Sequence, residues 1–230
     1  YFHGGGWVIG DLDTADAVCR EIATLAEVIV VSVDYRLAPE HVYPAAVQDS
    51  YAALQWVNDN LETLQGNGKI GVGGESAGGN LAAIVAQQSR DRGGPPIAFQ
   101  CLLYPVTDAE MSRPSYSENG SGYPLETTTM EWFWDTYCPD LEQRLNADAS
   151  PLRAKNLADL PPALVVTAEF DPLRDEGNAY AHALQAAGNS ATLMCCEGLV
   201  HDFFSTAAVF GCSRGPFEKT INALREHLNS

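Results

Sequence analysis

Basic residues are scarce. Thirteen lysines and arginines stand against thirty aspartates and glutamates in 230 residues, for a formal charge of −17. Such a surface repels phosphate backbones and anionic lipid headgroups, so no nucleic-acid partner is expected. Solubility is the plain consequence, and adaptation to high salt the sharper alternative. Long apolar runs are missing too. None reaches the roughly 18 residues of a membrane span, and candidates such as Val28-Ile-Val-Val-Ser-Val33 are the size of a strand. The first residues show no basic segment followed by an apolar one, so no signal peptide is visible. The six cysteines, Cys19, Cys101, Cys138, Cys195, Cys196 and Cys212, form no C-x-x-C pair and no cysteine–histidine ligand spacing. That pattern points away from a metal and towards a reducing, cytoplasmic setting. Cys101, Cys195 and Cys196 lie in apolar strand-like runs, where a free cysteine behaves as a small hydrophobe. Internal repeats are absent. The remaining composition, 46% hydrophobic and 19% charged, is that of one globular domain with a real core.

Strand-like and helix-like segments alternate along the chain. Val28 to Val33 is a β-branched run, followed by helical apolar spacing from Ala45 to Leu64. Lys69 to Gly73 reads as a short strand, Ala77 to Arg90 as an alanine-rich helix, and Ile97 to Tyr104 as a strand halted by Pro105. Ala163 to Ala168 and Ala191 to Cys196 read as strands around a helix from Asp175 to Ala187, and a closing helix runs from Pro216, at its first turn, to Leu228. This order predicts a mostly parallel sheet with helices on both faces. One stretch, Thr107 to Asn156, carries no strand, and it is expected to be a lid-like insertion forming a partial helical cap. Within it, Glu126 to Tyr137 reads as a helix above the sheet's C-terminal edge, with an ordinary core helix as the alternative.

Gly74-Glu-Ser-Ala-Gly78 is a G-x-S-x-G placed after a strand and before a helix. A turn that tight needs small neighbours around a strained serine, whose hydroxyl then projects at the sheet's edge. Ser76 is the candidate nucleophile. A serine hydroxyl needs a base. Of the five histidines, His41 lies in a proline-rich loop, His182 and His227 sit in surface helices, and His3 belongs to a glycine loop. His201 follows the last strand in a loop from which it can lean towards Ser76, so it is the candidate base. The acid should lie between them in the chain. Asp171, three residues past the strand Ala163 to Ala168, is the candidate; Glu169 is the runner-up. Asp175 and Glu176 read as first-turn helix charges, and Asp202 as a loop-bracing carboxylate. Upstream, His3-Gly-Gly-Gly6 precedes Trp7. Glycine amides can approach an oxyanion that a Cβ would block. Gly5 and Gly6, joined by Ala77, are the expected donors, with His3 bracing the loop.

Together these residues resemble the hormone-sensitive-lipase-like branch of the α/β-hydrolases, the bacterial family IV esterases. The likeness rests on His3-Gly-Gly-Gly6, on Asp34-Tyr-Arg-Leu-Ala-Pro-Glu-His41 continuing to Tyr43-Pro-Ala-Ala46, on Gly74-Glu-Ser-Ala-Gly-Gly79, on Asp171-Pro-Leu-Arg-Asp175 and on His201. It implies the α/β-hydrolase fold, cofactor-free and metal-free hydrolysis of short to medium acyl esters, and a triad of Ser76, Asp171 and His201. The expected partner is a small-molecule ester, with a homodimer left open. Glu75 stands where many relatives have aspartate, a charge-preserving change of little expected consequence. Relatives also carry a cap region and early strands ahead of the glycine loop, so the chain is expected to begin inside the fold. Three competing readings remain: a small-molecule binder without turnover, which would lack the base; acyl transfer to an alcohol or amine; and a peptidase.

Overall fold

The computed structural model describes residues 1–207 and 209–229. The chain opens with a loop and α1 (Leu12–Ala26), then α2 (Ala45–Asp59), β1 (Gly71–Glu75), α3 (Ala77–Arg92) and β2 (Phe99–Leu103). The insertion carries α4 (Pro114–Glu118), α5 (Thr127–Tyr137) and α6 (Leu141–Arg144), and β3 (Ala163–Phe170), α7 (Arg174–Ala186), β4 (Ala191–Val200) and α8 (Gly211–Asn229) complete the chain. The strands form one parallel sheet in the order β1-β2-β3-β4.

The period of two along each strand sorts side chains onto two faces. Phe99, Cys101, Leu103, Leu164, Val166 and Ala168 join the apolar residues of α1 and α8. Leu102, Ala163 and Val165 join those of α2, α3 and α7. Both faces are therefore covered, as the run of continuously apolar strands requires. Helix α3 is buried from Ala77 through Ser89, which explains its alanines: a helix apolar all round lies inside the molecule. Two of its buried side chains donate outwards. Asn80 donates to the carbonyls of Val106 and Ala149, each at 2.9 Å, and Gln87 donates to Pro151 O and to Tyr180 Oη, each at 3.0 Å. Both ends of the insertion are thus tied to the helix that follows Ser76.

Several elements differ from the sequence reading. The Val28–Val33 run makes one bridge, Val33 to Phe2, while Phe2 also bridges Gly74. An apolar cavity of about 520 Å³, lined by Val30, Val31, Leu61, Ile70 and Val72 among others, flanks the run. β-Branched residues favour a ladder but need a neighbouring backbone to make one, and among the described residues only the first two of the chain supply it. Helix α8 begins five residues before Pro216, which lies inside it; the proline still falls early enough that little of the helix's hydrogen-bond ladder precedes it. Cys195 is exposed and does not pack as a core hydrophobe; it lies on β4, the edge strand, where only Cys196 and Leu199 are buried. His227 is half-buried and stacks on Phe99 at 4.2 Å.

Helix α1 went unassigned in the sequence, although its signal is present. Asp11 and Thr14 form a reciprocal capping box, and Ala15, Val18, Cys19, Ile22 and Ala26 are buried at helical spacing. Replacing Asp11 by Ala removes the acceptor for Thr14 N–H and should lower stability. Urea unfolding should show a lower midpoint at unchanged slope; an unchanged midpoint would mean that the buried face alone holds α1.

Candidate active site

The site lies where the C-terminal ends of the parallel strands meet the opening loop. β1 turns directly into α3, and Ser76 sits at the junction with φ 54° and ψ −117°, a left-handed φ that a serine rarely adopts. Three hydrogen bonds hold it there. Its amide donates to Leu103 O at 2.9 Å, and its carbonyl accepts from Asn80 N at 3.0 Å and Val106 N at 3.2 Å. The two flanking glycines are required by close backbone approach. A Cβ on Gly74 would stand 2.4 Å from Phe2 O, and one on Gly78 would stand 1.9 Å from the same oxygen and 2.6 Å from His3 O. The glycine loop is thereby pressed against the turn that carries Ser76.

Within that loop Gly5 and Gly6 both have positive φ. A Cβ on Gly5 would collide with Ile9 O at 2.1 Å, and one on Gly6 with the Phe133 ring at 2.2 Å. The loop closes on itself through Val8 N and Ile9 N, which donate to Gly5 O at 3.1 and 3.0 Å. His3 Nδ1 is 2.6 Å from Gly4 O, to which the ring can only donate, and Tyr35 stacks on the imidazole at 4.3 Å while its hydroxyl donates to His3 O at 2.8 Å. Burial holds the His3 pKa below its ordinary value, which favours the neutral ring that makes one such bond. Trp7 stacks on Tyr137 at 4.3 Å and meets Trp134 at 4.8 Å, so α5 of the insertion packs on the back of the loop. Phe133 and Trp134 are buried, whereas Trp132 is exposed.

Asp171 and His201 come together at the ends of β3 and β4. His201 Nδ1 donates to Asp171 Oδ2 at 2.7 Å, and Leu173 N–H donates to the other carboxylate oxygen at 2.9 Å. Asp171 is fully buried and His201 nearly so. Burial by itself would lower the imidazole's pKa, but the Asp171 carboxylate outweighs it, and the pKa is raised above 6.5. Glu169, the alternative acid, turns elsewhere: its carboxylate accepts from Gly198 N at 2.7 Å, beside the irregularity in the β3–β4 pairing. Asp202 is exposed. The ring of Tyr104, at the end of β2, meets His201 edge-on at 4.8 Å, and its hydroxyl donates to Glu75, next to Ser76, at 3.0 Å. His41 and His182 are exposed and distinct from this cluster.

Residues 1–205 match the family model described as the alpha/beta hydrolase fold. The chain belongs to the α/β-hydrolase family, as a hormone-sensitive-lipase-like esterase. It is similar to Esterase LipI of Mycobacterium tuberculosis, with 46% identity over the whole of this chain and 72% of that protein. It is 39% identical to the ethyl acetate hydrolase of Pseudomonas putida, covering 99% of this chain and 72% of that protein. Among solved structures, the thermostable carboxylesterase EstE1 from a metagenomic library superposes with a TM-score of 0.96 at 43% identity, covering 99% of this chain and 79% of that one. Among the described residues, no helix of this esterase is long and apolar enough to cross a membrane.

One carboxylate does more than the sequence suggests. Glu176 stands in the first turn of α7, as expected, but it is fully buried. It accepts from Thr107 N at 2.7 Å, Asp108 N at 3.3 Å and Tyr116 Oη at 2.9 Å, while Thr107 Oγ1 donates to its carbonyl. Burial pushes its pKa up to about 8. Neighbouring bonds continue the clamp: Ser115 Oγ donates to Pro172 O at 2.6 Å, and Asn119 Nδ2 donates to Glu169 O at 3.1 Å. The start of the insertion therefore braces the loop that carries Asp171. Helical position alone could not distinguish Glu176 from Asp175, since both follow the same cap. Glu176→Ala strands two buried amides and a buried hydroxyl, and should lower stability by roughly 3 kcal/mol or more. Asp175→Ala should cost clearly less, as that carboxylate is half-exposed; equal losses in denaturant titration would contradict the clamp.

Proposed function

We propose that this esterase hydrolyses short to medium acyl esters through an acyl-enzyme on Ser76, with His201 as base and Asp171 as its orienting acid. The observation that supports this reading is the buried 2.7 Å contact between His201 and Asp171 at the ends of β3 and β4, together with the strained backbone of Ser76 at the end of β1. With Asp171 accepting from Nδ1, the tautomer is fixed and Nε2 is left to take the Ser76 proton. Ser76 Oγ attacks the ester carbonyl carbon as that proton moves to His201. The oxyanion then forms in reach of the Gly5, Gly6 and Ala77 amides, the last at the positive end of α3. Collapse breaks the bond to the leaving alkoxide, which takes the proton from His201. Water attacks the acyl-enzyme, gives a proton to His201, and releases the carboxylic acid as Ser76 is re-protonated.

The insertion 107–156 supplies the wall of the acyl pocket in this reading. Its support is the seating of Phe133 against Gly6, with Trp132 turned outwards. A panel of p-nitrophenyl esters of rising acyl length tests the substrate class: turnover should be highest for short to medium chains and lost in Ser76→Ala. Turnover confined to long chains, or retained by that variant, would contradict the reading.

Asp171→Asn cannot both orient the imidazole and stabilise the imidazolium. It should lower kcat by up to roughly 10⁴-fold, whereas Glu169→Gln should have a much smaller effect. Comparable losses would reassign the acid.

The pH dependence follows from the sign of the His201 shift. The neutral ring is the base, and its pKa lies above 6.5, so activity should be full on the alkaline side and fall as pH drops through a value above 6.5. A kcat/KM profile flat down to about pH 5, well below an ordinary imidazole pKa, would exclude His201 from that role.

A further inference from the structure

Glu75 occupies a position that the sequence marked as inconsequential. It is buried, and it lies one residue before Ser76 at the end of β1. Its Oε2 accepts from Tyr104 Oη at 3.0 Å, and its Oε1 receives the Gly4 amide at a longer 3.5 Å. The packing is as close as the hydrogen bonding, since a Cβ on Gly4 would stand 3.1 Å from Glu75 Cγ. Tyr104 in turn lays the edge of its ring against His201 at 4.8 Å. One carboxylate thus touches the glycine loop and, through one phenol, the imidazole.

We propose that Glu75 is a positioning residue that holds the oxyanion loop and the His201 ring in register with Ser76, acting through Gly4 N–H and Tyr104 Oη. This deepens the esterase mechanism above and rests on it. The charge of Glu75 matters, because both neighbours donate to it and neither accepts.

The groups facing it are Tyr104 at the end of β2, His201 and Asp202 after β4, Tyr1 at the start of the chain, Tyr35 after the Val28–Val33 run, and Cys19 on α1. Burial, followed by the nearby Asp202 charge, pushes the Glu75 pKa up to about 7, against the bonds from Tyr104 and Gly4. A carboxylate with a raised pKa is ionised only above that value, so it takes up a proton as pH falls through about 7. The neutral acid is the weaker acceptor for both donors. The acid limb of the wild-type rate profile should therefore record two protonations, on His201 and Glu75.

The test compares Glu75→Gln, Glu75→Asp and Tyr104→Phe with the wild type. In Glu75→Gln, kcat should fall roughly tenfold to a hundredfold with KM little changed, the loss of a hydrogen bond to a charged group. Its acid limb should be shallower, recording one protonation, and should lie at lower pH because His201 has lost a nearby anion. Glu75→Asp should recover most of kcat, and Tyr104→Phe should reproduce part of the loss. Wild-type kcat and an unchanged limb in a folded Glu75→Gln would overturn the proposal. If that variant fails to fold, Tyr104→Phe decides: an unchanged kcat and limb overturn the proposal, and the partial loss supports it. An NMR titration of the His201 imidazole in resting protein separates this proposal from the esterase reading. A downward shift in Glu75→Gln supports the coupling even if no variant turns over an ester, a result that would fall on the function instead. An identical titration overturns the coupling.

Discussion

One close backbone contact organises the candidate site. Phe2 O and His3 O lie where side chains on Gly74 and Gly78 would otherwise stand, so the turn carrying Ser76 and the loop carrying Gly5 and Gly6 share one surface. That contact is possible only without Cβ atoms. It seats the glycine loop on the turn at the start of α3, and the proposed oxyanion site is built from the amides of these two segments. Ser76 itself carries the strain, with a φ of 54°. Three backbone hydrogen bonds, from β2, from α3 and from Val106 just ahead of the insertion, hold it in place.

Buried carboxylates hold the other parts to that contact. Asp171 fixes His201, Glu176 fixes the segment that braces the Asp171 loop, and Glu75 links the glycine loop to Tyr104. Each sits among donors and not among cations, which is how a buried acid avoids the full cost of desolvation. Ion pairs are left mainly to the periphery, as in Arg20–Asp16 and Arg36–Asp49, where solvent screens them. The large negative charge of the chain is therefore a property of its surface, whereas three of its carboxylates organise the interior.

Much of this was legible in the sequence, for a physical reason. Continuous apolar strands, a glycine-flanked serine after a strand and a histidine after the last strand are local patterns, and each reports a local constraint. Position along the chain favoured Asp171 but left Glu169 as an alternative, and the structure displays Glu169 engaged with Gly198. The failures concern partners distant in the chain. The roles of Glu75 and Glu176 were not legible because their donors, Tyr104, Thr107 and Tyr116, come from other elements. The Val28–Val33 run has strand composition, but its pairing depends on what lies beside it. Helix α1 was missed despite its capping box and apolar stripe, both of which were present to be read.

The central claim is that the strained Ser76 is the nucleophile. Its most direct measurement is stoichiometric labelling with an aryl or alkyl fluorophosphonate at pH 8, followed by peptide mass spectrometry. The account predicts one phosphonyl group per chain, carried by the peptide containing Gly74-Glu-Ser-Ala-Gly78, and no labelling of Ser76→Ala. Modification of a different serine, or an unmodified chain under conditions where esters are hydrolysed, would contradict it.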